Sequence, residues 1–152
     1  MLQGLLYLHK VRHQIHRDMK PGNILINSEG FVKLTDFGIA KTLENTTDLC
    51  NTFVGTKTYM SPERIEGKEY SFASDIWSLG LIVIEMATGM FPYKFSKVFI
   101  EHIESILMDA EPTLPNDGTY SPELQNFITR CLQKEPKDRD SVADLCVRTI
   151  FS

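Results

Sequence analysis

An ordered series of short motifs contains the side chains of this chain that could do chemistry. Residues 16–23 read His-Arg-Asp-Met-Lys-Pro-Gly-Asn, and Asp36-Phe37-Gly38 begins thirteen residues beyond Asn23. Two shorter motifs follow them: Gly55-Thr56 and Ser61-Pro62-Glu63. Within this series, the carboxylates of Asp18 and Asp36, the amide of Asn23 and the cation of Lys20 are the groups that could do chemistry. Asp18, Asn23 and Asp36 could each be an ordinary turn former, but the whole ordered series would then be a coincidence.

The elements that must position these motifs follow from the hydrophobic pattern. Ile24–Ile26 and Phe31–Leu34 are short apolar runs, and the turn sequence Asn27–Gly30 separates them. This pattern predicts a small β-hairpin between the first two motifs. Residues 36–63 are polar and have no sustained periodicity. A loop of that length in a compact domain is uncommon and usually functional.

The rest of the chain predicts helices. Residues 1–10 are typical of the tail of a helix with apolar residues near one face: Leu2, Leu5, Leu6, Leu8 and His9. A buried helix is predicted over Ser71–Thr88, with Gly89 as its C-terminal stop. Three later helices are predicted: Lys97–Ala110, Ser121–Lys134 and Ser141–Thr149. The predicted fold class is therefore mainly α with a small β-hairpin.

Composition narrows the class of protein. A chain of 152 residues, 42% hydrophobic and 24% charged, is typical of one globular domain. Its net charge of −4 argues against a nucleic-acid-binding module. The longest apolar stretch, Leu79–Ile84, is far shorter than the roughly 20 residues of a membrane helix. We expect a soluble cytoplasmic protein, with the nucleus as the alternative, and neither nucleic acid nor membrane as a partner.

Three widely spaced cysteines, Cys50, Cys131 and Cys146, form neither a CxxC motif nor a zinc-type cluster. An odd and sparse count of this kind favours a reducing compartment over a disulfide framework. We expect the cysteines to be small buried hydrophobes.

In their order along the chain, the motifs resemble the HRD, DFG and APE elements of eukaryotic protein kinases. Residues 51–56, Asn-Thr-Phe-Val-Gly-Thr, followed by Tyr59–Arg64, are similar to mitogen-activated protein kinase kinases. The glycine-rich loop and the strand lysine of a kinase do not occur in this sequence. We therefore expect residues 1–152 to be a partial protein kinase domain, the C-terminal lobe, with the N-terminal lobe absent.

The resemblance implies roles for the residues around the catalytic loop. It implies that Asp18 accepts the proton of the substrate hydroxyl and that Lys20 lies near the transferred phosphate. Asn23 and Asp36 would hold Mg²⁺, and Leu25 would pack under the adenine of ATP, although a plain core leucine would look identical in sequence. Two further residues are implied to belong to the catalytic set: Arg17 beside Asp18, and Thr56, which contacts Asp18 and Lys20.

The same resemblance implies a supporting framework. His16 and Phe37 match two members of a hydrophobic spine. Asp75 matches the buried helix carboxylate that anchors the backbone of the catalytic loop. Glu63 and Arg139 match a buried ion pair, and the planar fork of arginine suits a carboxylate there.

The loop between the second and last motifs implies control by phosphorylation. Thr46 and Thr52 are separated by five residues, the spacing of the plant-type kinase kinases. Thr47 competes with Thr46 as the first site, and all of these threonines could instead be solvated loop residues. A phosphate there would add about −1.5 to −2 charge, and Arg17 is its expected partner.

These features together imply an ATP- and Mg²⁺-dependent serine/threonine kinase, extending by resemblance to dual specificity. The expected partners are a MAP kinase as substrate and an upstream kinase acting on the loop. Alternatives are an upstream kinase of the same cascade, or a truncated lobe that only binds a kinase or substrate. We expect the isolated chain to be inactive, because the roof of the ATP pocket is missing. We also expect Leu2, Leu5, Leu6 and Leu8 to face missing neighbours.

Overall fold

A computed structural model describes residues 1–37, 59–69, 71–93 and 99–151 of the chain. The six α-helices in this part of the chain are α1 Leu2–Leu6, α2 Pro62–Ile65, α3 Phe72–Thr88, α4 Phe99–Met108, α5 Pro122–Cys131 and α6 Val142–Phe151. The two strands are β1 Ile24–Ile26 and β2 Val32–Leu34. A π-helical turn, Tyr7–Val11, continues α1, and two short 3₁₀ turns lie at Pro21–Asn23 and Pro136–Asp138. The predicted class, mainly α with a small hairpin, is confirmed for these residues.

Helix α3 is the centre of the core, and its ends are set by local sequence. Ser71 caps its N-terminus in a reciprocal box with Ser74, which satisfies backbone groups that would otherwise lack partners. Gly89 ends the helix in the left-handed conformation at φ 73°, which only glycine adopts cheaply. The side chains of Ile76, Trp77, Leu79, Leu81 and Ile82 are buried. The helix predicted over Ser71–Thr88 is therefore confirmed within one residue.

Helix α5 packs against α3 at unusually close range. A Cβ added at Gly80 would lie 2.7 Å from the Leu132 side chain and 2.8 Å from Cys131. Glycine is therefore required at this crossing. Helix α5 ends earlier than the predicted Lys134, because Leu132 leaves the helical conformation at φ −103° and ψ 46°.

The hairpin forms where the turn sequence predicts it. Strands β1 and β2 are antiparallel, and Ile24 pairs with Leu34. The Asn27 Oδ1 atom accepts hydrogen bonds from the backbone N–H of Glu29 at 3.1 Å and of Phe31 at 2.8 Å. The hairpin lies at the edge of the core, so residues at both ends of the hairpin can contribute side chains to a site.

The N-terminal helix is packed differently from the sequence-based expectation. Leu5 is fully buried and Leu8 is 5% exposed, while Leu2 and Leu6 pack partly buried against the core. The prediction that these four leucines face missing neighbours is therefore wrong, because α1 packs against α6 of the same chain. Other large apolar side chains in the N-terminal part of the chain are exposed: Tyr7, Val11, Leu25, Ile26, Phe31 and Phe37.

Cysteine burial and membrane topology can be stated for the described residues. Cys131 is buried and Cys146 is half-buried, and both are free thiols. Cys50 lies outside the described residues. None of the helices described is both long enough and apolar enough to cross a membrane.

Candidate active site

The carboxylate of Asp18 is held by two neighbours from its own loop. The Asp18 Oδ2 atom accepts a hydrogen bond from Lys20 Nζ at 2.7 Å and from Asn23 Nδ2 at 2.9 Å. Asn23 Nδ2 also donates to the main-chain oxygen of Asp18 at 2.8 Å. Asp18, Lys20 and Asn23 therefore form one bonded cluster, and the Asp18 side chain remains 52% exposed.

The electrostatics of this cluster favour an ionised Asp18. Partial burial raises the pKa of Asp18, but the hydrogen bond and positive charge of Lys20 and the hydrogen bond from Asn23 outweigh it. The pKa of Asp18 therefore lies below the usual range for aspartate. Asp18 is consequently ionised at neutral pH and can accept hydrogen bonds from a bound hydroxyl group.

The base of the hairpin joins the backbone of Asn23 to Thr35. The Asn23 carbonyl oxygen accepts a hydrogen bond from the Thr35 backbone N–H at 3.0 Å and from the Thr35 hydroxyl at 3.3 Å. Asp36 directly follows Thr35 and adopts a left-handed φ of 58°, so the chain turns sharply there. The backbone of Asn23 is therefore bonded to the residue before Asp36 at this end of the hairpin, and the Asp36 side chain is exposed.

The chemistry of these donors fits Mg²⁺. The amide nitrogen of Asn23 faces Asp18, so its amide oxygen points the other way and is the atom that a cation would use. Mg²⁺ is commonly held by one or two protein oxygens together with phosphates and waters. In the part of the chain that the structure describes, no group of three His, Cys, Asp or Glu side chains could hold a metal by itself.

A buried carboxylate on α3 supports the backbone of the catalytic loop. The Asp75 Oδ2 atom accepts a hydrogen bond from the His16 backbone N–H at 2.8 Å, and Oδ1 accepts one from the Arg17 N–H at 3.0 Å. Asp75 is 2% exposed. The structure thus places Asp75 beneath the loop, with the backbone of Arg17 directly above it.

His9 is a member of this support that the sequence analysis did not identify. Its Nε2 atom lies 2.8 Å from Asp75 Oδ2, and its ring packs 4.7 Å from the ring of Phe72. The available signal was a histidine on the apolar face of the predicted N-terminal helix. A partner 66 residues away cannot be read from that pattern.

The remaining predicted residues near the loop have clear positions. His16 is fully buried, and its ring centroid lies 6.3 Å from that of Phe37. Phe37 and Leu25 are 51% and 56% exposed. The alternative that Leu25 is a plain core leucine is therefore wrong, because its side chain points to the surface of the hairpin.

Comparison with known proteins assigns the family. The family model described as "Protein kinase domain" matches residues 1–151.

This chain belongs to the protein kinase domain family.

The curated relatives of this kinase chain carry names from one branch of the family. It is 55% identical to "Mitogen-activated protein kinase kinase 2" of Arabidopsis thaliana, over 95% of this chain and 41% of that protein. It is 50% identical to "Mitogen-activated protein kinase kinase SIPKK" of Nicotiana tabacum, over 95% of this chain and 42% of the relative. The resemblance to the kinase kinases is therefore supported at the level of the family. The chain spans less than half the length of these relatives.

An ion pair in this kinase chain joins the last motif to the C-terminal helices. Arg139 Nη2 and Nη1 donate to Glu63 Oε2 and Oε1 at 2.7 and 2.8 Å. The Ser74 hydroxyl donates to the same carboxylate at 2.9 Å. Burial raises the pKa of Glu63, but Arg139 outweighs it and the pKa lies below the ordinary value. The carboxylate is therefore ionised and bonded on both oxygens.

Arg64 is a second residue, next to the loop of residues 16–23, that the sequence analysis did not identify. Its Nη1 atom donates to the main-chain oxygen of Arg17 at 2.7 Å. Its position directly after the Ser-Pro-Glu motif is the only sequence signal for it.

Some predicted residues lie outside the described part of this kinase chain. Residues 38–58 contain the proposed phosphorylation sites and the threonine of the Gly-Thr motif: Thr46, Thr47, Thr52 and Thr56. Their roles therefore stay predictions.

Proposed function

We propose that this chain carries the catalytic residues of an ATP-dependent protein serine/threonine kinase that acts in a MAP kinase cascade. The enzyme would transfer the γ-phosphate of ATP to a hydroxyl group on a protein. The observation that carries this proposal is the bonded cluster of Asp18, Lys20 and Asn23; the backbone oxygen of Asn23 is in turn bonded to Thr35, the residue before Asp36. This arrangement supplies a proton acceptor, a cation and two oxygen ligands within one short segment.

The chain's own residues would act mainly by positioning. Phosphoryl transfer passes through a loose transition state that needs alignment and charge neutralisation more than covalent chemistry. Asp18 would orient the substrate hydroxyl and take its proton, and Lys20 would face the negative charge of the phosphoryl group. Asn23 and Asp36 would hold Mg²⁺, which neutralises charge on the phosphates when bound. Leu25, exposed beside the cluster, would contact the adenine of ATP.

We propose the C-terminal lobe of a kinase domain as the identity of residues 1–152. The mainly helical fold with a two-stranded sheet supports this assignment. Apolar side chains of the hairpin and Phe37 are exposed, and a second lobe would cover them together with ATP. A partial enclosure of this kind predicts weak ATP binding by the chain alone.

The proposed partners are a MAP kinase as substrate and an upstream kinase acting on Thr52 and on Thr46 or Thr47. The names of the relatives in Arabidopsis and tobacco support this branch of the family. Arg17 is exposed beside Asp18, so its side chain is accessible to a phosphate from the activation loop. We place the enzyme in the cytoplasm, with the nucleus as the alternative.

The test is a transfer assay with the full-length protein that contains this chain. The protein is incubated with Mg·ATP and a catalytically inactive MAP kinase, and mass spectrometry locates the phosphate. We expect phosphate on the activation-loop Thr and Tyr of the substrate with the wild type and none with Asp18→Asn. Phosphate on serine or threonine only would contradict dual specificity, and no transfer at all would contradict the proposed function.

Activation is tested on the same full-length protein with an upstream kinase. Thr52→Ala is expected to lose activation, and Thr52→Ser is the control, because it keeps a hydroxyl that can be phosphorylated at the same position. Unchanged activation of Thr52→Ala would show that Thr52 is not a regulatory site.

A further inference from the structure

Arg64 connects the end of the last motif to the catalytic loop. It lies in α2, and its Nη1 atom donates to the main-chain oxygen of Arg17 at 2.7 Å, across 47 residues of sequence. Arg17 directly precedes Asp18, so this oxygen belongs to the peptide plane that leads into the proposed proton acceptor. A hydrogen bond from a charged donor is about twice as strong as one between neutral groups.

Arg17 needs such support because its backbone is strained. It adopts φ 73°, in the left-handed region that a non-glycine residue occupies only at an energetic cost. Both of its backbone polar groups are held from other elements. Asp75 accepts from its N–H at 3.0 Å, and Arg64 donates to its oxygen. The surrounding protein therefore fixes the direction in which the chain enters Asp18.

Arg64 acts from a rigid base. The preceding residue, Glu63, is buried and bonded to Arg139 on both carboxylate oxygens. The following residue, Ile65, packs against the core. The backbone of α2 on either side of Arg64 is thus fixed, and a displacement of α2 would be transmitted to the Arg17 carbonyl.

We propose that Arg64 is a positioning residue, which sets the orientation of the Arg17–Asp18 peptide and so couples the Ser-Pro-Glu motif to the proton acceptor. This inference rests on the proposed kinase function for its catalytic consequence. Arg64 would raise the rate of the chemical step without contacting ATP.

The kinetic test compares three variants of the full-length protein. Arg64→Met removes the donor and the charge, and we expect kcat to fall about 10- to 100-fold, the range that a small misalignment can cost. The KM for ATP should stay unchanged. Arg64→Lys keeps a cationic donor and should recover part of kcat. Lys68→Met is the matched control, because Lys68 lies four residues further on and pairs with Glu66 at 2.7 Å. Wild-type kcat in Arg64→Met, or a change in KM alone, would overturn the proposal.

An NMR measurement tests the hydrogen bond from Arg64 to Arg17 independently of the proposed kinase function. The chain contains two Arg–Asp peptide bonds, Arg17–Asp18 and Arg139–Asp140. In protein labelled with ¹³C′-arginine and ¹⁵N-aspartate, an HNCO spectrum selects these carbonyls. We expect Arg64→Met to move the Arg17 carbonyl resonance upfield and to leave that of Arg139 in place. An unmoved Arg17 resonance would overturn the inference whatever the activity. If the resonance moves but the protein transfers no phosphate, the hydrogen bond from Arg64 to the Arg17 carbonyl is supported and the kinase proposal is contradicted instead.

Discussion

The site consists of two layers that differ in burial. The floor, defined by Asp75, Glu63 and Arg139, is almost completely buried, and each of its carboxylates is bonded by protein donors. The rim, defined by Asp18, Lys20 and Asp36, keeps its charged groups partly or largely exposed to solvent.

This difference in burial divides the residues into a group that stabilises the fold and a group that can act on a substrate. The floor satisfies its own charges, so its bonds contribute to folding and fix the backbone. The rim leaves charge and hydrogen-bonding capacity for a substrate that is not part of the chain. We therefore expect substitutions in the floor to change the free energy of unfolding and substitutions in the rim to change reactivity. The predictions below test this division.

The largest expected effect is the loss of Arg139 from the floor. Arg139→Met would leave Glu63 as a buried unpaired carboxylate and would free the carbonyls of Ala73, Gln133 and Lys134. Removing one partner of a buried pair costs about 3–5 kcal/mol. Denaturant unfolding of the full-length protein measures this loss. Arg148→Met, at an exposed arginine 3.6 Å from Asp140, is the matched control and should cost little.

The next largest loss of stability is expected where α3 and α5 cross at Gly80. Gly80→Ala forces a Cβ to within 2.7 Å of the Leu132 side chain, and such overpacking costs about 1–3 kcal/mol. The gain of about 1 kcal/mol in helix propensity only partly offsets it. Gly4→Ala is the control, because its Cβ would meet Leu34 at an ordinary 3.5 Å. A higher thermal midpoint for Gly80→Ala than for Gly4→Ala would contradict the close crossing.

A smaller loss of stability is expected when the pH is lowered. The pKa of Glu63 is lower in the folded protein than in the unfolded chain, so the unfolded state binds the proton more readily. The contribution of Glu63 is therefore complete above the unfolded pKa and is lost as the pH falls through the folded pKa. Between about pH 6 and pH 4, the wild type should lose more free energy of unfolding than Glu63→Gln.

The control for the acid experiment is Glu69→Gln, at an exposed glutamate nearby. Its pH dependence should match that of the wild type. Equal slopes for Glu63→Gln and the wild type would show that Glu63 does not control acid stability.

Local signals account for what the sequence predicted correctly. The hairpin and α3 depend on a turn sequence, a capping box and a terminal glycine, all within a few residues of the elements they control. The motif order likewise predicted the residues that cluster at the base of the hairpin. These features need no knowledge of distant parts of the chain.

The ion pair between Glu63 and Arg139, 76 residues apart, was expected only through the resemblance to kinases. Other features that depend on distant partners were missed or wrong. Asp75 binds His9 across 66 residues, and Arg64 binds Arg17 across 47. The four leucines of the N-terminal region were expected to lack neighbours because nothing in the pattern shows that α1 packs against α6. Each of these features depends on tertiary packing, which cannot be read from the local periodicity of the sequence.

The smallest expected effect on folding belongs to the rim and tests the comparison most directly. Asp18→Asn removes a charge that is half exposed and paired with a partly exposed Lys20, so the free energy of unfolding should change by less than about 0.5 kcal/mol. The new amide oxygen can still accept from Asn23. The phosphoryl-transfer rate should nevertheless fall about 10²- to 10⁴-fold, because the proton acceptor is lost. Parallel denaturation and transfer assays check both halves. If Asp18→Asn destabilises the protein as much as Arg139→Met, the rim is part of the folding framework and the division between the two layers fails.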